Sequence, residues 1–184
     1  MKSVRLLFPL ILVIVLASCS SSRKRAGNSV DLSIKQVRIK KQPTAFQVKT
    51  GRVDPAELIV LAESLVGIPY QFGSSIPNKG LDCSGFIWYL FQRFGVVVPR
   101  TSEQFTNAGE EVSLNKSKPG DLILFTGSDP LSGKVGHIGL IAGREGGDVW
   151  FIHAASGGNK GVMRSNLNRY FRERFVKVNR IFPD

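Results

Sequence analysis

The hydrophobic period changes once along this chain, and that change restricts the fold more than any other feature. From Asp54 to Gly95 the apolar residues recur at helical spacing; from Asp121 to Phe182 they fall into short β-rich runs broken by glycine. Helices first and antiparallel strands afterwards indicate an α+β domain, with N-terminal helices packed on a small sheet. Asp54-Pro55-Ala56-Glu57 opens a first helix, with Asp54 as N-cap and Pro55 where a missing N–H costs nothing. Leu58, Leu61 and Leu65 line one face, and Gly67 and Pro69 end it. A second helix is predicted over residues 82–94, where Phe86, Ile87, Leu90, Phe91 and Phe94 form a stripe and Gly95 ends it. Thr101 and Gln104 predict a capping box for a third, short helix. Strands are expected over residues 121–126, 135–142, 148–154, 161–164 and 175–182, with a helical turn near residues 166–171.

Cys83 stands at the mouth of the second helix, in Leu81-Asp82-Cys83-Ser84-Gly85. A thiol attacks as thiolate, and a helix N-terminus favours negative charge, so this placement predicts a lowered thiol pKa. The chain's two histidines, His137 and His153, flank a predicted hairpin over residues 138–152. A three-residue loop centred on Glu145 would set His137 opposite His153 on one face. With the second helix across that face, Cys83 would meet His137, and His153 would hold the ring's second nitrogen. Nucleophile, base and orienter would then be assembled. A zinc centre on Cys83, His137, His153 and Asp82 is the rival, weakened by the lack of a short-spaced ligand pair.

The N-terminus does not read as part of the domain. Met1, Lys2 and Arg5 precede the apolar run from Leu6 to Leu16, which is too short to span a bilayer comfortably. Leu16-Ala17-Ser18-Cys19 is similar to a bacterial lipoprotein signal, which implies cleavage after residue 18 and a lipid on Cys19. The expected location is the cell envelope, anchored at the periplasmic face of a membrane, and Ser20 would permit sorting to the outer membrane. Cys83 is then left without a disulfide partner.

The net charge of +11 is unevenly spread. Residues 20–53 hold nine basic residues against Asp31, whereas residues 54–184 hold fourteen basic and thirteen acidic ones. Residues 19–53 therefore read as a lipidated cysteine and a basic tether, suited to anionic headgroups or wall polymers or simply solvated. A nearly neutral domain follows over residues 54–184, and nucleic acid is not expected as a partner.

Six short motifs in order resemble the NlpC-type family of bacterial cell-wall cysteine peptidases, which have a papain-like core. They are Gly67-Ile68-Pro69-Tyr70, Asp82-Cys83-Ser84-Gly85-Phe86, Pro99-Arg100-Thr101 with Gln104, Pro119-Gly120-Asp121-Leu122, Gly136-His137-Ile138-Gly139 and Phe151-Ile152-His153-Ala154. The resemblance implies hydrolysis of peptidoglycan stem peptides, commonly between D-γ-glutamate and a diamino acid, through a thioester and without metal or organic cofactor. It implies Cys83 as nucleophile, His137 as base and His153 as third polar residue. Tyr70 would join the Cys83 N–H as oxyanion donor, while Asp82 and Ser84 would hold the substrate's amine. A monomer is expected. Gly73-Ser74 replaces the two adjacent glycines of many relatives. A silent peptidoglycan-binding lipoprotein and an amidase or acyltransferase on the same scaffold are the other classes that these residues leave open.

Overall fold

The computed structural model describes residues 46–157 and 161–183. The segments expected to be a signal sequence, a lipidated Cys19 and a tether lie, up to residue 45, outside the described residues. Helix α1 (Pro55–Ser64) begins as expected, the Asp54 carboxylate accepting from Ala56 N at 2.8 Å. A small antiparallel pair, β1 (Ser75–Ile76) and β2 (Gly80–Leu81), leads into α2 (Cys83–Arg93). Six strands follow: β3 (Glu110–Val112), β4 (Leu122–Thr126), β5 (Val135–Glu145), β6 (Asp148–Ala155), β7 (Gly161–Asn166) and β8 (Phe175–Arg180). The single turn α3 (Arg169–Arg172) separates the last two. All neighbours in the sheet are antiparallel, in the order β3-β8-β4-β5-β6-β7.

Alternation along the strands gives the sheet two apolar faces. Leu122, Leu124, Ile138, Leu140, Ile152 and Ala154 face the helices and pack with Leu58, Phe86, Ile87, Leu90 and Phe91. Ile123, Phe125, Ile141, Phe151 and Val178 point the other way, where Phe171 and Phe175 close over them. Burying each large side chain of the first cluster contributes about 1.5–3 kcal/mol, so α2 is held to the sheet mainly by its stripe.

The chain ahead of Asp54 also packs: Phe46 bridges to Ala108, Thr50 is buried, and Val48 touches the core. The packed region thus starts before the boundary read from the sequence. The Thr101–Gln104 capping box forms, Thr101 Oγ1 accepting from Gln104 N and Gln104 Oε1 accepting from Thr101 N, and it opens a 3₁₀ turn over Gln104–Asn107.

The hairpin between the histidines differs from expectation. Its turn is the two-residue Gly146-Gly147, both at positive φ as a tight hairpin of this kind demands, and a bulge shifts the register between Ile141 and Gly143. Leu140 pairs with Ile152, so the continued register sets Gly139, not His137, against His153. A Cβ on Gly139 would lie 3.3 Å from His153 Cβ and 2.7 Å from the Phe151 ring. His137 and His153 still share a face, two residues out of step, because a displacement of two preserves the pleat. That face is the one turned away from α2, the reverse of the expected packing.

Gly85 sets how closely α2 approaches the loop before it. A Cβ there would fall 2.1 Å from the backbone oxygen of Ser74. Gly85→Ala is expected to lower stability by about 2–3 kcal/mol, read from the urea midpoint, because the obstacle is backbone and cannot swing aside.

Candidate active site

Cys83 is the first residue of α2, and Asp82 caps the helix by accepting from Gly85 N at 2.5 Å. The pairs joining β5 to β6 run only from Leu140 and Ile152 to the turn. The earlier part of β5 is thus left unpaired on that side, and Cys83 lies against it. Its sulfur is 4.0 Å from Gly136 O and meets the backbone N–H of Ile138, the two chain neighbours of His137. Cys83 therefore lies against the backbone on either side of His137, beside the part of β5 that β6 does not pair.

His137 Nε2 is 2.8 Å from His153 Nδ1, and His153 Nε2 is 2.9 Å from Ser165 Oγ on β7. Phe125, Phe151 and Phe171 surround the pair. Burial lowers the pKa of His137 to about 4; burial and then the neighbouring His137 lower that of His153 to about 3. Both rings are neutral at pH 7. If His137 is to accept a proton at Nδ1, its Nε2–H must donate to His153, and His153 Nε2–H must donate to Ser165. Ser165 carries no signal in the sequence, because a serine in a β-run gains a role only once the strand beyond His153 pairs with it.

The thiol is not the pre-formed anion expected at a helix start. Burial raises its pKa first of all, and the Asp82 carboxylate adds to the rise. Hydrogen bonding from Ser102 and the backbone N–H groups of Ser84 and Ile138 pull the other way without prevailing. The sulfur is 3.3 Å from Ser102 Oγ, and among the described residues no hydrogen bond joins it to His137. The thiol must turn from Ser102 to engage the imidazole.

Tyr70 bridges to Leu81 and lines the same cavity, with its pKa raised by burial and by Cys83 and Asp82. Its hydroxyl stays protonated and able to donate. Asp82 and Ser84 are already engaged. Arg100 reaches both carboxylate oxygens at 3.3 and 3.4 Å, Ser84 Oγ at 3.1 Å and Gly73 O at 2.9 Å. An incoming amine would share Asp82 with that guanidinium. Arg100 lies in the motif Pro99-Arg100-Thr101, but nothing local reveals its partner eighteen positions away.

The cavity beside Cys83 measures about 560 Å³ and is walled by Tyr70, His137, His153, Phe171 and Arg174. Among the described residues no group of three or more His, Cys, Asp or Glu is arranged to hold a metal.

The sequence profile of the NlpC/P60 family matches residues 67–180. The chain is 42% identical over 83 residues to the gamma-DL-glutamyl hydrolase of Bacillus subtilis, an overlap covering 45% of this chain and 20% of that protein. It is 37% identical over 122 residues to the "Probable endopeptidase NlpC" of Escherichia coli, covering 65% of this chain and 73% of the relative. A solved NlpC/P60 family protein from Bacillus cereus superposes with a TM-score of 0.64 at 26% identity, over 73% of this chain and 42% of that one. Fold, motif order and sequence agree, and the chain belongs to the NlpC/P60 family of papain-like, cysteine-type peptidases.

Proposed function

We propose that this protein is an endopeptidase that hydrolyses stem peptides of peptidoglycan at the bond between D-γ-glutamate and a diamino acid, tethered to a membrane of the cell envelope through lipid on Cys19. The observation that carries the reading is one cavity walled both by the Cys83 thiol and by the hydrogen-bonded His137–His153 pair. The name of the Bacillus subtilis relative supports the choice of a γ-glutamyl bond.

The chemistry begins with both partners neutral. As Cys83 turns toward His137, the proton passes to Nδ1 while sulfur attacks the amide carbon, so no isolated thiolate has to exist in the buried site. The Cys83 backbone N–H at the start of α2 and the Tyr70 hydroxyl donate to the oxyanion. The imidazolium gives its proton to the departing amine, leaving a thioester. His137, neutral again, takes a proton from the water that releases the acid. His153 stays neutral throughout, accepting from His137 Nε2–H and passing its own N–H to Ser165.

Incubating the full chain with defined muropeptides and identifying products by mass spectrometry tests the reading. Cleavage within the stem, reduced by about 10⁴-fold or more in Cys83→Ala, is the expected outcome. Cleavage between sugar and peptide would assign an amidase instead.

A raised thiol pKa has a directional consequence. Below that pKa the thiolate fraction falls tenfold per pH unit, so iodoacetamide should modify Cys83 more slowly than free cysteine at pH 7 and speed up steadily beyond pH 8. Rapid modification already constant from pH 6 would indicate a resting thiolate–imidazolium pair and contradict the neutral start.

Ser165→Ala removes the acceptor that fixes the tautomer of His153. We expect kcat to fall about fivefold, measured on one muropeptide, since the net hydrogen bond that orients His153 is lost.

A further inference from the structure

Cys83 has two unlike sides. On one side lie Asp82, Ser84 and Arg100, whose charges compensate each other through an ion pair at 3.3 Å. On the other lies the cavity that contains both histidines, and it does not include those three residues. Because His137 protonates the departing amine, the leaving half of the substrate must occupy the histidine side.

That cavity has apolar walls from Phe125, Phe171 and Met163, and its one permanently charged lining residue among those described is Arg174. Arg174 follows α3 and is fixed by its backbone, whose oxygen accepts from Thr126 N at 2.8 Å. Its Nη1 donates to Tyr170 O at 3.1 Å, and the guanidinium lies over the Tyr170 ring at 3.8 Å. These contacts hold the group in place without neutralising it. Among the described residues no carboxylate pairs with Arg174, in contrast to Arg100, Arg164, Arg169, Arg172 and Arg180.

In two of the residues that line this cavity, one enclosed atom each, Arg174 Nε and Thr126 Oγ1, has no partner among the described residues. Thr126 is 5% exposed and lines the cavity. Enclosed donors without partners are costly in a folded protein and are uncommon unless something binds there. A cation held by an aromatic ring, joined through its backbone to a residue with an unpartnered hydroxyl and flanked by apolar walls, suits a carboxylate.

We propose that Arg174, with the Thr126 hydroxyl, determines specificity by binding a free carboxylate on the leaving residue of the substrate. This rests on the peptidase reading above. A diamino dicarboxylic acid offers two such groups, its α-carboxylate and its side-chain carboxylate, and the recognition chemistry is the same for both. A leaving residue carrying neither would meet an unneutralised guanidinium.

Four peptides ending in γ-D-glutamyl–diamino dicarboxylic acid provide the test: both carboxylates free, each one amidated in turn, and both amidated. For the full-length protein kcat/KM should fall about 10–100-fold when the recognised carboxylate is amidated, the value of a charge-assisted hydrogen bond, and the affected arm identifies which group is read. In Arg174→Gln the ratio of free to doubly amidated substrate should drop to about one, while Arg174→Lys should keep part of it. Equal cleavage of all four peptides by the wild type, or full discrimination in Arg174→Gln, overturns the proposal while leaving the peptidase reading intact. Cleavage of none, or cleavage surviving Cys83→Ala, overturns the peptidase reading. Calorimetry with Cys83→Ala then decides the proposal on binding alone: tighter binding of the free form supports it, and equal affinity for free and doubly amidated peptides refutes it.

Discussion

Burial at the first turn of α2 governs this site. The helix start is carried against the part of β5 that β6 does not pair by a stripe of Phe86, Ile87, Leu90 and Phe91, all without solvent exposure. Once there, the Cys83 thiol, Asp82 and His153 are buried, with His137 half-buried beside them. The thiol is pushed up, both imidazoles are pushed down, and the helix start cannot reverse that balance. Helix-terminal stabilisation is worth at most about 2 kcal/mol in favourable partly buried geometries, whereas desolvation of a fully buried group can move a pKa by several units. The larger effect wins, and the resting site is assembled from neutral groups.

Neutrality also explains the third residue. A carboxylate behind His137 would have to remain charged among Phe125, Phe151 and Phe171, a costly environment unless it were paired and fully hydrogen-bonded. A second imidazole orients the first through one hydrogen bond and carries no charge into the aromatic cluster. It needs an acceptor behind it to hold the right tautomer, and Ser165, itself neutral, serves. The chain His137–His153–Ser165 is a hydrogen-bonded relay of orientation compatible with an apolar enclosure.

Local rules made much of the fold legible. The N-caps Asp54 and Asp82, the stripe of α2, the Thr101–Gln104 box and the main strands follow from periodicity and hydrogen-bonding chemistry, which act within a few residues. What escaped depends on contacts between distant segments. Strand β3 is three residues long, and its Glu110 and Glu111 are exposed; only β8 makes it a strand. The hairpin's register turned on one bulged residue near Ala142, invisible in a pattern of period two. The face covered by α2 could not be read at all, since both faces of the sheet are apolar and alternation alone does not say which one a helix selects. The candidate site shows the same division: Cys83, His137, His153, Tyr70 and Arg100 sit in motifs, whereas Ser102, Ser165 and Arg174 gain their places through the fold.

The two guanidiniums near the nucleophile show how one residue type can serve opposite ends. Arg100 is bound up with Asp82, Ser84 and the Gly73 carbonyl, and so braces the loop that delivers Tyr70 and Cys83. Its charge is spent within the protein, and a ligand arriving there meets a nearly neutral surface with directional donors. Arg174 is braced by a carbonyl and an aromatic ring, neither of which cancels its charge. A cation fixed in this way stays available to the cavity without requiring a counter-ion that substrate would first have to displace. The cavity wall on the leaving-group side is thus positive, while the imidazole beside it is neutral at rest. When His137 becomes an imidazolium, it shares the enclosure with a like charge. A carboxylate on the leaving residue would offset both, stabilising the protonated state that forms as sulfur attacks and that must then give its proton to the amine.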